Sequence, residues 1–138
     1  MHRILSVAVF LAVIGGGPLV AQTDGPHVYD VNYIDVVDAK YMTYLQEVLF
    51  PVWDEFINRG TIISYHVMRQ LSGAGEADLI GITEFPNWDG VNELTSAAYN
   101  EVSQAVHGMS WAEVNEEYWP LSDIRTIHRT EVYASVKR

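Results

Sequence analysis

The sequence predicts an α+β domain whose elements run β-α-β-β-α-β. Two stretches, Tyr41 to Phe56 and Val91 to Ala105, space their apolar residues by three and four, as amphipathic helices do. Four others are rich in β-branched and aromatic residues, as strands are. With 138 residues, 49% of them hydrophobic, the chain suits one globular domain.

Met1-His2-Arg3 is a short basic start, followed by the apolar run Ile4 to Ile14, the breaker Gly15-Gly16-Gly17-Pro18 and the small residue Ala21. This is the layout of a secretory signal peptide. The apolar run is far shorter than the roughly 20 residues that span a bilayer. Residues 1–21 are therefore read as a signal peptide cleaved after Ala21, and residues 22–138 as a single exported domain, periplasmic or secreted, with no membrane span after cleavage.

His27 to Val36 is the first strand, and Asp38 is a good N-cap for the helix that follows. Tyr41, Leu45, Val48, Val52 and Phe56 form its apolar stripe, and Gly60 ends it in the left-handed conformation. Pro51 lacks an amide hydrogen, so a kink is expected near Glu47. Thr61 to Leu71 and Asp78 to Phe85 read as two strands joined by a glycine-rich turn beginning at Ser72. Pro86-Asn87 opens a second helix with Val91, Leu94, Ala98, Val102 and Ala105 on one face, closed by Gly108. Ser110-Trp111-Ala112-Glu113 is a capping box for a short helix to about Tyr118, and Trp119-Pro120 stops it. Arg125 to Val136 is the last strand.

Two split β-α-β units in this order give a ferredoxin-like antiparallel sheet of strand order 4-1-3-2, with both helices on one face. Tyr29, Tyr33, Tyr65, Ile82 and Tyr133 then place too much apolar surface on the strands for either face to stay wet. Packing two sheets face to face covers it, so a homodimer is expected.

Lys plus Arg number 8 and Asp plus Glu 18, a net charge of −10, and the leader takes only Arg3 with it. So acidic a chain repels phosphate backbones and anionic membranes, which excludes nucleic acid as an expected partner. The absence of cysteine excludes disulfides, thiol nucleophiles and thiolate metal sites. No phosphate-binding glycine loop, zinc-protease motif, calcium loop or nucleophile elbow is present.

Phe50 to Tyr65 (FPVWDEFINRGTIISY) and Ala77 to Asp89 (ADLIGITEFPNWD) resemble the helix-to-strand and strand-to-helix segments of dimeric α+β-barrel proteins. The chain is similar to antibiotic-biosynthesis-monooxygenase-like domains, and above all to uncharacterised exported bacterial members, from about Val28 to Val136. The resemblance implies two ferredoxin-like subunits with their sheets packed together and a pocket between each sheet and its helices. It also implies small-molecule chemistry, which in some members needs no cofactor. Fold-level motifs assign no catalytic group.

Among the side chains, His66 lies mid-strand and is the candidate base or hydrogen-bond donor, since imidazole titrates near neutrality. His128 lies on the other expected edge strand, and His107 near a helix end. Trp53, Tyr65 and Trp88 are the candidate ligand-binding residues, aromatic surfaces for a flat apolar molecule. Glu84 and Asp35 lie in strands, where an apolar pocket would raise a carboxyl pKa. Asp54-Glu55 and Glu116-Glu117 point about 100° apart on a helix and read as solvated faces. Nothing nominates a third metal ligand, so no metal and no cofactor are expected. The expected function is an exported, dimeric small-molecule-binding protein, with a cofactor-independent enzyme acting on a small hydrophobic or aromatic compound as its catalytic form. The alternative is a non-catalytic structural or partner-binding dimer. The two differ in the cavity, which a structural module fills with side chains such as Tyr44, Met68 and Phe85.

Overall fold

The computed structural model describes residues 25–69, 71 and 77–136. The expected signal peptide and the glycine-rich turn from Ser72 lie outside the described residues. Strands β1 (Val28–Val36), β2 (Ser64–Arg69), β3 (Leu79–Phe85) and β4 (Arg125–Ala134) form one antiparallel sheet of order β2-β3-β1-β4. This is the expected ferredoxin-like order. The helices are α1 (Lys40–Tyr44), α2 (Phe50–Asn58), α3 (Trp88–Glu93), α4 (Ser96–His107) and α5 (Trp111–Asn115), with single 3₁₀ turns at Glu116–Tyr118 and Leu121–Asp123.

Helices α1 and α2 are one helical run joined by a π turn at Leu45–Leu49, where the Phe50 amide donates to the Leu45 carbonyl five residues back. The expected kink near Glu47 takes the form of this π turn, and Pro51 has no amide hydrogen to offer the Glu47 carbonyl four residues back. Asp38 precedes the run and its carboxylate accepts from the Lys40 amide at 2.7 Å. Gly60 at φ +78° and Gly108 at φ +70° adopt the expected left-handed conformation. The Ser110–Glu113 capping box has both of its reciprocal bonds.

The second helix departs from expectation. It breaks at Leu94 (ψ 59°) and restarts at Thr95, whose hydroxyl accepts from the Ala98 amide. A residue free to cap in an extended conformation ends one helix and begins the next. The buried face of α4 turns accordingly: Val102 and Ser103 are buried and Ala105 is exposed.

Register fixes the two sheet faces. Val28 pairs with Phe85, Asp30 with Thr83, Asn32 with Gly81 and Ile34 with Leu79, and these residues face the helices. Tyr29, Val31, Tyr33, Ile80, Ile82, His66 and Met68 fall on the opposite face. Tyr65 lies on the helix side, where it packs against Phe50 and Trp53. The core on the helix side forms two clusters. One gathers Ile34, Tyr41, Tyr44, Leu45 and Leu79, and the other Val28, Val52, Phe56, Phe85 and Val102. Trp111 packs against both.

Candidate functional site

Between the two clusters lies a cavity of about 270 Å³. Its floor is the sheet, at Asn32, Ile34, Val67, Gly81 and Ile127, and its roof is helical, at Tyr41, Tyr44, Leu49, Trp53, Tyr99 and Trp111. Gly81 contributes to the space by having no side chain in the middle of β3. Ile127 lines the cavity and is 41% exposed, so the space opens at the β4 edge. A larger groove of about 830 Å³ runs over α4 and α5, between Asn100, Glu113 and Trp119. It is a surface feature open to solvent: Trp119 on its rim is 69% exposed. The smaller space, walled by sheet and helices, is the better small-molecule site, because enclosure removes ligand surface from water.

Aromatic contacts order the roof. Trp53 meets Tyr65 edge-on at 4.8 Å, Tyr99 packs on Trp111 at 5.0 Å, and Tyr41 stacks with Tyr44 at 6.0 Å. Each distance lies in the range of favourable ring pairs. Burial pushes the Tyr41, Tyr44 and Tyr99 hydroxyls up, and Arg125 pulls the first two partly back. All three are therefore neutral hydrogen-bonding groups at ordinary pH. Tyr65 is pushed up to about 12 by burial and by Asp54, whose carboxylate its hydroxyl meets at 3.2 Å.

The polar end of the floor is a short network. The Asn32 amide donates to Asp30 Oδ2 at 3.1 Å, and the Thr130 hydroxyl donates to Asn32 Oδ1 at 2.6 Å. Asp30 Oδ1 is buried and has no hydrogen-bond partner. Burial pushes the Asp30 carboxyl up, while the bond from Asn32 opposes the rise. Arg125 lines the other end, its guanidinium 5.8 Å from the centre of the Tyr41 ring.

Of the four site residues expected from sequence, only Trp53 lines the cavity. Tyr65 packs behind it. Trp88, at the start of α3, is 54% exposed and outside the lining. His66 is exposed on the far face of the sheet, so the pleat separates it from Trp53 and Tyr65. His128 pairs with Asp35 at 2.6 Å, and His107 bonds the Val48 carbonyl at 3.2 Å. Glu84 corrects an expectation. It lies on the open face and accepts from His27 at 2.8 Å, Ser64 at 2.9 Å and Tyr29 at 3.1 Å. Burial works to raise its pKa, but these donors outweigh it and hold the carboxyl below the usual range. Asn32, Tyr99, Trp111 and Arg125 were not singled out from sequence. The available signal was parity, since Asp30 and Asn32 stand two and four residues from Val28.

No group of three or more His, Asp or Glu among the described residues is arranged to hold a metal ion. Among them, no helix is long and apolar enough to cross a membrane.

No protein-family model and no curated protein matches the chain. Its backbone is similar to the crystal structure of HapK from Hahella chejuensis, with a TM-score of 0.46 and 9% identity, over 80% of this chain and 94% of that one.

Proposed function

We propose that the chain is an exported, dimeric small-molecule-binding protein that holds a small aromatic compound between its sheet and its helices. The cavity carries this reading. Met68 lies on the other face of the sheet, Phe85 is packed into the core, and Tyr44 forms a wall, so none of them fills the space. A structural module would have closed it. At about 270 Å³ the cavity sits near the lower end of ligand pockets, roughly 300 Å³, which suits one or two fused rings. Its lining includes no His, Asp or Glu, so no side chain there is a ready general base, and binding is favoured over proton abstraction.

The open sheet face supports the dimer. Tyr133 is 50% and Met68 46% exposed there, beside Tyr29, Tyr33, Ile80 and Ile82. A second sheet against this face would remove that surface from water. Strand β4, an edge of ten residues, is a further liability for a lone subunit. Export rests on the N-terminal segment of residues 1–21.

Native mass spectrometry of the gently purified, exported chain tests the three parts together. The expected species has twice the mass of the chain cleaved near Ala21, and it carries or takes up a small aromatic molecule. A single-chain mass at micromolar concentration overturns the dimer, and an uncleaved N-terminus overturns export. A dimer that neither retains nor takes up an aromatic compound overturns the ligand reading.

A further inference from the structure

We propose that the cavity selects an aromatic oxyanion, such as an aryl carboxylate, through Arg125 at one end and the Asn32 amide at the other. This rests on the cavity being a ligand site.

The chain has 8 Lys and Arg against 18 Asp and Glu, so basic side chains find carboxylates easily. Arg59 is held by Glu55 at 2.9 Å and Glu101 at 2.5 Å, and Lys40 approaches Glu117 at 3.8 Å. Arg125 is half-buried at the cavity wall, against Tyr41, and no carboxylate among the described residues lies within ion-pair distance of it. It is also the only cationic side chain in the lining. A guanidinium offers a planar fork of donors that fits a carboxylate in two parallel bonds.

Asn32 supplies a second, oriented group. Asp30 takes one of its amide hydrogens and Thr130 fixes its carbonyl, which leaves one N–H. The partner of Arg125 across the sheet is Val36, four residues along β1 from Asn32, or about 13 Å of strand. Between these ends the floor is Ile34 and Ile127 and the roof is aromatic. The layout suits a flat apolar body with an anionic end. The neutral state of Tyr41 and Tyr44, which burial enforces, agrees with it, because neutral hydroxyls donate to an anion and do not repel it.

Matched probes test the proposal. The purified full chain is titrated with 2-naphthoate and with uncharged 2-naphthamide, followed by calorimetry, in wild type, Arg125→Gln and Arg125→Lys. Wild type is expected to bind the carboxylate at least tenfold more tightly than the amide. That ratio should fall below threefold in Arg125→Gln and recover in part in Arg125→Lys. Without any substitution, raising the salt from 20 to 500 mM should shrink the wild-type ratio. Equal binding of both probes overturns the proposal and leaves the ligand site standing. A preference that survives in Arg125→Gln overturns the assignment to Arg125. Binding of neither probe overturns this proposal and the ligand site together.

Discussion

Tyr65 and His66 are adjacent in the chain and stand on opposite faces of β2. The Tyr65 ring lies 4.8 Å from Trp53 under the helices, and His66 is exposed on the far side. Replacing each tests the separation. His66→Ala is expected to leave probe binding in the cavity within twofold of wild type. Tyr65→Ala should cost about 2 kcal/mol of stability, less than a fully buried aromatic because the ring is half-exposed, and should loosen the Trp53 wall. Denaturant titration and calorimetry on the two variants read both effects.

Asp30 makes a pH prediction with a definite sign. Its folded-state pKa is raised, mainly by burial. The folded chain then holds a proton that the unfolded chain has lost, so this group's contribution to stability falls as pH rises from the unfolded value of about 3.9 through the folded one. Asp30→Asn removes the charge and keeps an acceptor for Asn32. The variant should be more stable than wild type at pH 7, and the difference should close below about pH 4. Thermal melts across pH 3 to 8 check it, and a variant less stable at pH 7 would contradict it.

Much of the fold was legible because its signals are local. Asp38, Gly60, Gly108 and the Ser110–Glu113 box each mark a helix end by chemistry confined to a few residues. The kink followed from one missing amide hydrogen at Pro51. The break at Leu94 was not legible, since Val91, Leu94 and Ala98 keep helical spacing across it. The cavity was hidden for a different reason. In β1 the buried apolar residues Val28, Val31 and Ile34 recur every third position, which obscures the two-residue alternation of a strand. Asp30 and Asn32 share the parity of Val28, but this three-residue recurrence masks that signal. Whether a space remains there depends on where α1, α2 and α4 sit above the sheet, and no residue type encodes that offset.

Gly90 marks how closely α3 approaches the chain below it. A Cβ there would lie 2.7 Å from the Thr61 carbonyl oxygen and 3.3 Å from Pro86 Cδ. The first contact is with backbone, which yields little. Gly90→Ala, despite the better helix propensity of alanine, should destabilise by about 2 kcal/mol and lower the melting temperature by roughly 10 °C. A neutral or stabilised Gly90→Ala would show that α3 is free to shift.

The cavity itself is tested most directly at Gly81, on its floor in β3. A Cβ at this position would meet Ile34 Cδ1 at 3.7 Å, an ordinary contact, so a side chain can be added. Gly81→Ala should gain about 0.5–1 kcal/mol from reduced chain entropy and keep the space open. Gly81→Leu should fold and fill it. Titration of wild type, Gly81→Ala and Gly81→Leu with 2-naphthoate is the decisive measurement. The expected result is saturable binding, one per chain, in the first two proteins, and none in a folded Gly81→Leu. Undiminished binding by Gly81→Leu, or no binding by wild type, would contradict a ligand site between the sheet and its helices.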